Sequence, residues 1–272
     1  MPYDALPPSL TTALRTRLDN TFERATEDAL TMHEPQVVRA LGSRIAADCH
    51  GLTGDGHRVH AYTGFIHQQS YVRFLMAGTR KLREAGDLLV VCTRITATGS
   101  STRAVLFQAK IFTTLAGLSR MRTGDAQHFL YHYWPQISYT WGQTAGTTTR
   151  AIGSDRKFQG SRYLMIRGAT LPAIGAGVCV TADNEGLGAP EPATTYVLNM
   201  LRDHAAVPYE ALGPGDWNGL VDDLRQRVTP APAPRAGRRA TRLDVGTGGD
   251  GEGGLVVVHL SVVADGVDPL VN

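Results

Sequence analysis

Asp87-Leu-Leu-Val-Val-Cys-Thr-Arg-Ile95 and, eight residues on, Arg103-Ala-Val-Leu-Phe-Gln-Ala-Lys-Ile-Phe112 decide the fold. Both runs are rich in β-branched and apolar residues and too short for a helix that buries its whole surface, so they read as two strands. The link Thr96-Ala-Thr-Gly-Ser-Ser-Thr102 between them has the composition of a hairpin loop. Side chains at i and i+2 of a strand share a face. Gln108 and Lys110 therefore point together, while Phe107, Ala109 and Ile111 enter the other layer. Asp87 opens the preceding strand, and a hairpin would bring its carboxylate to the same end of the sheet.

Upstream, Glu34 to Cys49 carries Val37, Val38, Leu41, Ile45 and Ala46 at helical spacing, with Pro35 in a first turn where its missing N–H is not needed. Ser9 to Leu30 repeats the pattern in Leu14, Leu18, Phe22 and Ala25, so two helices meeting near Met32 are expected. Arg58 to Tyr62, Ser70 to Leu75, Ser161 to Ile166 and Gly175 to Thr181 read as further strands. Ala126 to Trp134, Thr194 to His204 and Trp217 to Val228 read as helices. The fold class is α/β, a central mixed sheet flanked by helices on both sides.

Three segments are expected along the chain: residues 1–228 as the α/β domain, 229–254 as a Pro/Gly-rich basic linker, and 255–272 as a returning strand and tail. No internal repeat is visible.

With 272 residues, 42% of them hydrophobic, the chain can close a core without staples. Three widely spaced cysteines, Cys49, Cys92 and Cys179, suit a reducing cytoplasm. The first residues lack a secretory pattern, and no apolar run approaches the roughly 18 residues of a membrane-spanning helix, so neither export nor membrane insertion is expected. A net charge of +2 permits a nucleic-acid partner without requiring one. Nucleotide-binding glycine loops and a serine-hydrolase elbow are absent from the sequence.

A carboxylate, an amide oxygen and an ammonium around one spot are the group types that phosphodiester hydrolysis uses, because Mg²⁺ takes hard oxygen ligands and a cation can meet the charge developing on phosphorus. The same spacing also describes a turn aspartate beside two solvent-facing polar residues. His128 and His132 stand four apart on a helix without the glutamate of a zinc protease motif, which favours packing or a DNA-facing role. His57 and His60 fall on opposite strand faces. Phe129, Tyr131, Tyr133, Trp134, Tyr139 and Trp141 are read by default as packing against the sheet. Arg80, Lys81, Arg83, Arg94, Arg103, Arg156, Lys157 and Arg162 could contact phosphates. Glu84 reads as a solvated turn residue.

The runs Phe65-Ile-His-Gln-Gln-Ser-Tyr-Val-Arg-Phe74, Glu84-Ala-Gly-Asp87-Leu-Leu-Val-Val91 and Val105-Leu-Phe-Gln108-Ala-Lys110 resemble the restriction-endonuclease-like, PD-(D/E)XK superfamily. The Gln-x-Lys form resembles its Mrr-like branch and bacterial defence nucleases. The resemblance covers residues 34–134. It implies a restriction-endonuclease-like core and a Mg²⁺- or Mn²⁺-dependent endonuclease acting on DNA in antiviral defence, alone, as a homo-oligomer or with partner subunits. It implies Glu34, Asp87, Gln108 and Lys110 as catalytic residues, and Asp87, the Ala109 carbonyl and Glu34 as metal ligands. Gln108 departs from the commoner acidic residue, and no proline precedes Asp87. The Gln108 departure also admits an inactive nucleic-acid-binding subunit, and the linker together with the absence of a recognisable sensor domain hints at a structural or sensor partner in a defence complex.

Overall fold

A computed structural model describes residues 6–67, 69–112, 125–141, 146–153, 159–168, 177–180, 191–230 and 254–267. Helix α1 runs Pro8–Asp28 and α2 Glu34–Cys49. Leu10, Leu14, Leu18, Phe22 and Ala25 of α1 recur at three- or four-residue steps and are buried, the stripe a helix presents to a core. On α2 the stripe is Val37, Val38, Leu41 and Ile45. Its N-terminus is closed by the His33 N–H donating to Gln36 Oε1 at 3.3 Å.

Strand β1 (Thr53–Gly54), β2 (His57–Ile66), the hairpin of β3 (Tyr71–Met76) and β4 (Thr79–Glu84), and the hairpin of β5 (Leu88–Thr96) and β6 (Gly99–Phe112) follow. Then come α3 (Ala126–Tyr133), β7 (Gln136–Tyr139), β8 (Thr148–Ala151), β9 (Ser161–Arg167), β10 (Gly177–Val180) and β11 (Glu191–Pro192). The last elements are α4 (Ala193–Leu201), β12 (Val207–Pro208), α5 (Asp216–Gln226), β13 (Thr229–Pro230) and β14 (Leu255–Ala264).

The main sheet is mixed, in the order β1-β2-β14-β5-β6-β9-β10-β11, and β4-β3-β7-β8 form a second sheet. Strands β5 and β6 pair antiparallel, and β9 joins β6 in parallel. Phe107 and Ala109 lie in the core shared with α1, α2 and α4, and Ile111 packs against it. Leu106 and Phe112 lie in the opposite core, with α3, α5 and the second sheet. The protein is thus α/β, with helices on both faces of a mixed sheet, and the expected alternation along β6 is present.

Two expectations change. The hairpin turn is Ala97-Thr98 alone, because Thr96 pairs with Gly99 and the polar run beyond it continues as strand. The core also does not end at Val228. Strand β14 lies inside the sheet, antiparallel to β2 and parallel to β5, and Val256, Val258, Leu260 and Val262 are buried. Helix α2 lies so close over it that a Cβ on Gly42 would clash with Val256 Cγ1. Most of the expected linker, 231–253, lies outside the described residues. Among the described residues no helix is long and apolar enough to cross a membrane.

Candidate active site at the Asp87 end of the central hairpin

Asp87 sits one residue before β5, and its backbone is fixed from both sides. Its N–H donates to the Phe107 carbonyl at 2.8 Å, and its own carbonyl accepts from Val256 N–H at 2.9 Å. The preceding Gly86 is required by space: a Cβ there would lie 2.8 Å from Tyr131 Oη and 3.0 Å from the Phe107 oxygen. Tyr131 is itself committed, donating to the Ala85 carbonyl at 2.8 Å. Gly86→Ala should therefore displace the Asp87 turn and lower the midpoint of thermal unfolding, at a cost of about 1–3 kcal/mol. A melting curve unchanged from wild type would show that the turn absorbs a methyl group.

Beyond Leu88, strand β6 runs on past its partner, so its backbone groups on that side need other acceptors. Two carboxylates supply them. Asp87 Oδ2 accepts from Ala109 N–H at 2.7 Å, and Glu34 Oε2 accepts from Ile111 N–H at 3.3 Å. In a strand the N–H and C=O of one residue leave the same edge. The Ala109 carbonyl therefore leaves β6 on the edge where those two amides are capped, between them in sequence.

The remaining side chains close on the same place. Gln108 Nε2 donates to Asp87 Oδ2, and Lys110 Nζ reaches Glu34 Oε1 at 2.7 Å. Gln108 is buried, with Oε1 shielded from solvent and lacking a hydrogen-bond donor. Glu34, Asp87, Gln108 and Lys110, taken from a helix and two strands, thus meet at one end of the sheet.

Burial pushes Asp87 up to about 7, against the Lys110 charge, which lowers it; Glu34 and Glu84 push it further up. Burial also raises Glu84, which shares a side-chain hydrogen bond with Asp87. Glu84 is therefore not the solvated turn residue the sequence suggests. It ends β4, a strand whose charged sequence Thr-Arg-Lys-Leu-Arg-Glu gives no apolar alternation, and only pairing with β3 fixes its direction. With β4 recognised, Glu84 would have been legible as a neighbour of Asp87.

Other candidates do not join the cluster. His128 and His132 are buried and stacked on α3 with ring centroids 6.1 Å apart, which leaves packing and removes a DNA-facing role. Tyr131, Trp134 and Tyr139 are core residues. Arg94 and Arg103 are turned to Asp203, at 3.5 and 3.3 Å, and Arg162 lies over the Tyr196 ring. Arg80 and Arg83 are exposed on β4, which leads into Glu84. Arg156 and Lys157 lie outside the described residues.

Among the described residues no three His, Cys, Asp or Glu side chains are arranged to hold a metal by themselves. A cation at this place would draw on oxygen donors of other kinds, and the buried Gln108 Oε1 without a donor and the Ala109 carbonyl are of that kind. No family model, curated protein or solved structure matches the chain.

Proposed function

We propose that the chain is a metal-dependent endonuclease that hydrolyses phosphodiester bonds of DNA, built on a restriction-endonuclease-like core. The observation that carries this reading is the edge of β6, where Asp87 and Glu34 cap the amides of Ala109 and Ile111 with Lys110 beside them. The reading is supported by Glu34 on the helix, Asp87 at the strand start and Gln108 and Lys110 on the next strand meeting at one place, the residues to which the superfamily resemblance would give the metal site. Defence against foreign DNA is the biological setting that resemblance suggests.

The donor set suits a hard divalent cation. Asp87, the Ala109 carbonyl and Glu34 would hold Mg²⁺ or Mn²⁺, which binds through one or two carboxylates and otherwise neutral oxygens. Its charge would offset the repulsion that Glu34 and Glu84 exert on Asp87. When bound, the ion supplies Lewis-acid polarisation of a phosphoryl oxygen. Gln108 Nε2 holds the Asp87 carboxylate, and its free Oε1 can accept a hydrogen bond from the attacking water and orient it. Lys110, positioned by Glu34, presents its ammonium to the charge that develops on the phosphoryl oxygens.

The internal satisfaction of Asp87 by Gln108 and of Glu34 by Lys110 also suits a second reading, an inactive nucleic-acid-binding relative. Titrating Mg²⁺ against plasmid cleavage for wild type, Gln108→Glu and Gln108→Ala separates the two. An added carboxylate beside Asp87 should lower the half-saturating Mg²⁺ about tenfold, as expected for ~1–2 kcal/mol of screened attraction. The alanine variant should raise it or end activity. Equal metal dependence in all three proteins would place Gln108 outside the site, and no cleavage by any of them would favour the inactive relative.

A further inference from the structure

Along β5, β6 and β14 the two faces of the sheet differ in character at one row. The face toward α1 and α2 stays apolar to the end, through Leu88, Val90 and Cys92 on β5 and Val256, Val258, Leu260 and Val262 on β14. On the other face Leu89, Val91, Leu255, Val257, Leu106 and Ala104 build a core, and then the composition changes abruptly. His60, Ser261, Thr93 and Thr102 lie opposite one another in consecutive registers across β2, β14, β5 and β6. His259 stands one step back on β14.

Four of these groups, Thr93, Thr102, His259 and Ser261, form a connected floor. Thr93 Oγ1 lies 2.8 Å from His259 Nε2 and 3.1 Å from Thr102 Oγ1, and Ser261 Oγ lies 3.2 Å from the same imidazole nitrogen. Thr93 and Ser261 are buried at 9% and 7% exposure. Placing five hydrogen-bonding side chains at the centre of a sheet, where packing alone calls for Val or Ile, forgoes apolar burial. Burial, followed by the Arg225 charge, pushes His259 down to about 4, so its ring offers a hydrogen bond without charge.

Above this floor is an open cavity of about 1070 Å³, at the upper end of the ~300–1,000 Å³ usual for small-molecule sites. Its walls supply cations. Arg225 is held by Tyr209 Oη at 2.7 Å, and Arg202 makes no ion pair among the described residues. Of the two acids in the lining, Asp203 is already occupied by Arg94 and Arg103, and Glu210 is exposed to solvent. Tyr62, exposed at 57%, adds an aromatic face to the lining.

We propose that this cavity binds a phosphorylated ligand of mononucleotide size, its phosphate on Arg202 and Arg225 and its polar body on the hydroxyl and imidazole floor. The site lies at the opposite end of the β5–β6 hairpin from Asp87, and it stands whether or not the Asp87 cluster cleaves DNA. Isothermal titration of the full chain with AMP, adenosine and inorganic phosphate, all in chelator, tests it. AMP should bind, with adenosine and inorganic phosphate each at least about tenfold weaker, since each lacks part of the contacts. Thr93→Val and Arg202→Glu should each weaken AMP about tenfold or more, whereas Asp87→Asn should leave it unchanged. Arg202 is partly exposed, so its variant keeps the test available should Thr93→Val fail to fold. Absence of AMP binding, phosphate binding as tight as AMP, or AMP binding indifferent to both cavity variants would each overturn the assignment.

Discussion

Asp87→Asn should end DNA cleavage and, in the absence of divalent cations, make the protein more stable at neutral pH. The two effects have one cause. The carboxyl of Asp87 is pushed up to about 7 from an ordinary 3.8 by burial, with Lys110 opposing and Glu34 and Glu84 adding to the rise. Because the folded value lies above the unfolded one, the folded state holds the extra proton between those values. Stability from this group is full below about pH 4 and is lost as pH rises toward 7. An amide does not ionise, so the variant escapes that loss. It can still accept from Ala109 N–H, and its NH₂ can donate to the Gln108 Oε1 that now lacks a donor. The advantage over wild type should open between pH 4 and 7 and level off above, at a size on the order of 1–4 kcal/mol. Added Mg²⁺ should raise the melting temperature of wild type and leave that of the variant unmoved. A variant less stable than wild type at pH 8 would show that Asp87 is a structural anchor rather than a strained functional group.

Lys110→Ala should lower cleavage about a hundredfold to a thousandfold, the loss typical of removing one preorganised donor from a transition state. Its fold should survive, because a partly exposed ion pair contributes at most about 1 kcal/mol, and the Lys110 side chain is 37% exposed beside Glu34. The variant also removes the cation that opposes the rise at Asp87, so the pH at which activity appears should move upward in whatever cleavage remains. Lys110→Arg keeps the charge and changes its shape, so partial recovery there would separate electrostatics from a proton-transfer role. Full cleavage by a folded Lys110→Ala protein would remove Lys110 from the chemistry.

The elements that a sequence announces are those whose burial follows a regular period. Helix α2 falls on Glu34–Cys49 as read, and β5 and β6 differ from the reading mainly at the turn. Strand β4 was hidden because Arg80, Lys81 and Arg83 give it no apolar face, and its existence depends on pairing with β3. Strands β7 and β8, four residues each, are too short to show a period. The interior position of β14 depends on contacts with β2 and β5 more than 150 residues away in the chain, which no local pattern contains. The same limit applied to function. Gln108 and Lys110 could be found from their two-residue spacing, but the link between Glu34 and Ile111, the approach of Glu84 to Asp87 and the polar row across four strands arise only when distant segments meet.

On the proposed function, Asp87, Glu34 and the β6 edge hold a divalent cation for phosphodiester hydrolysis. Supercoiled plasmid incubated with purified wild-type protein in Mg²⁺ or Mn²⁺, in excess chelator, and with Asp87→Asn in Mg²⁺ tests it most directly on one agarose gel. Nicked or linear product with the metal ions, and none with chelator or with the variant, is the result expected. Intact plasmid in every lane, or product that forms equally in chelator or with Asp87→Asn, would contradict it.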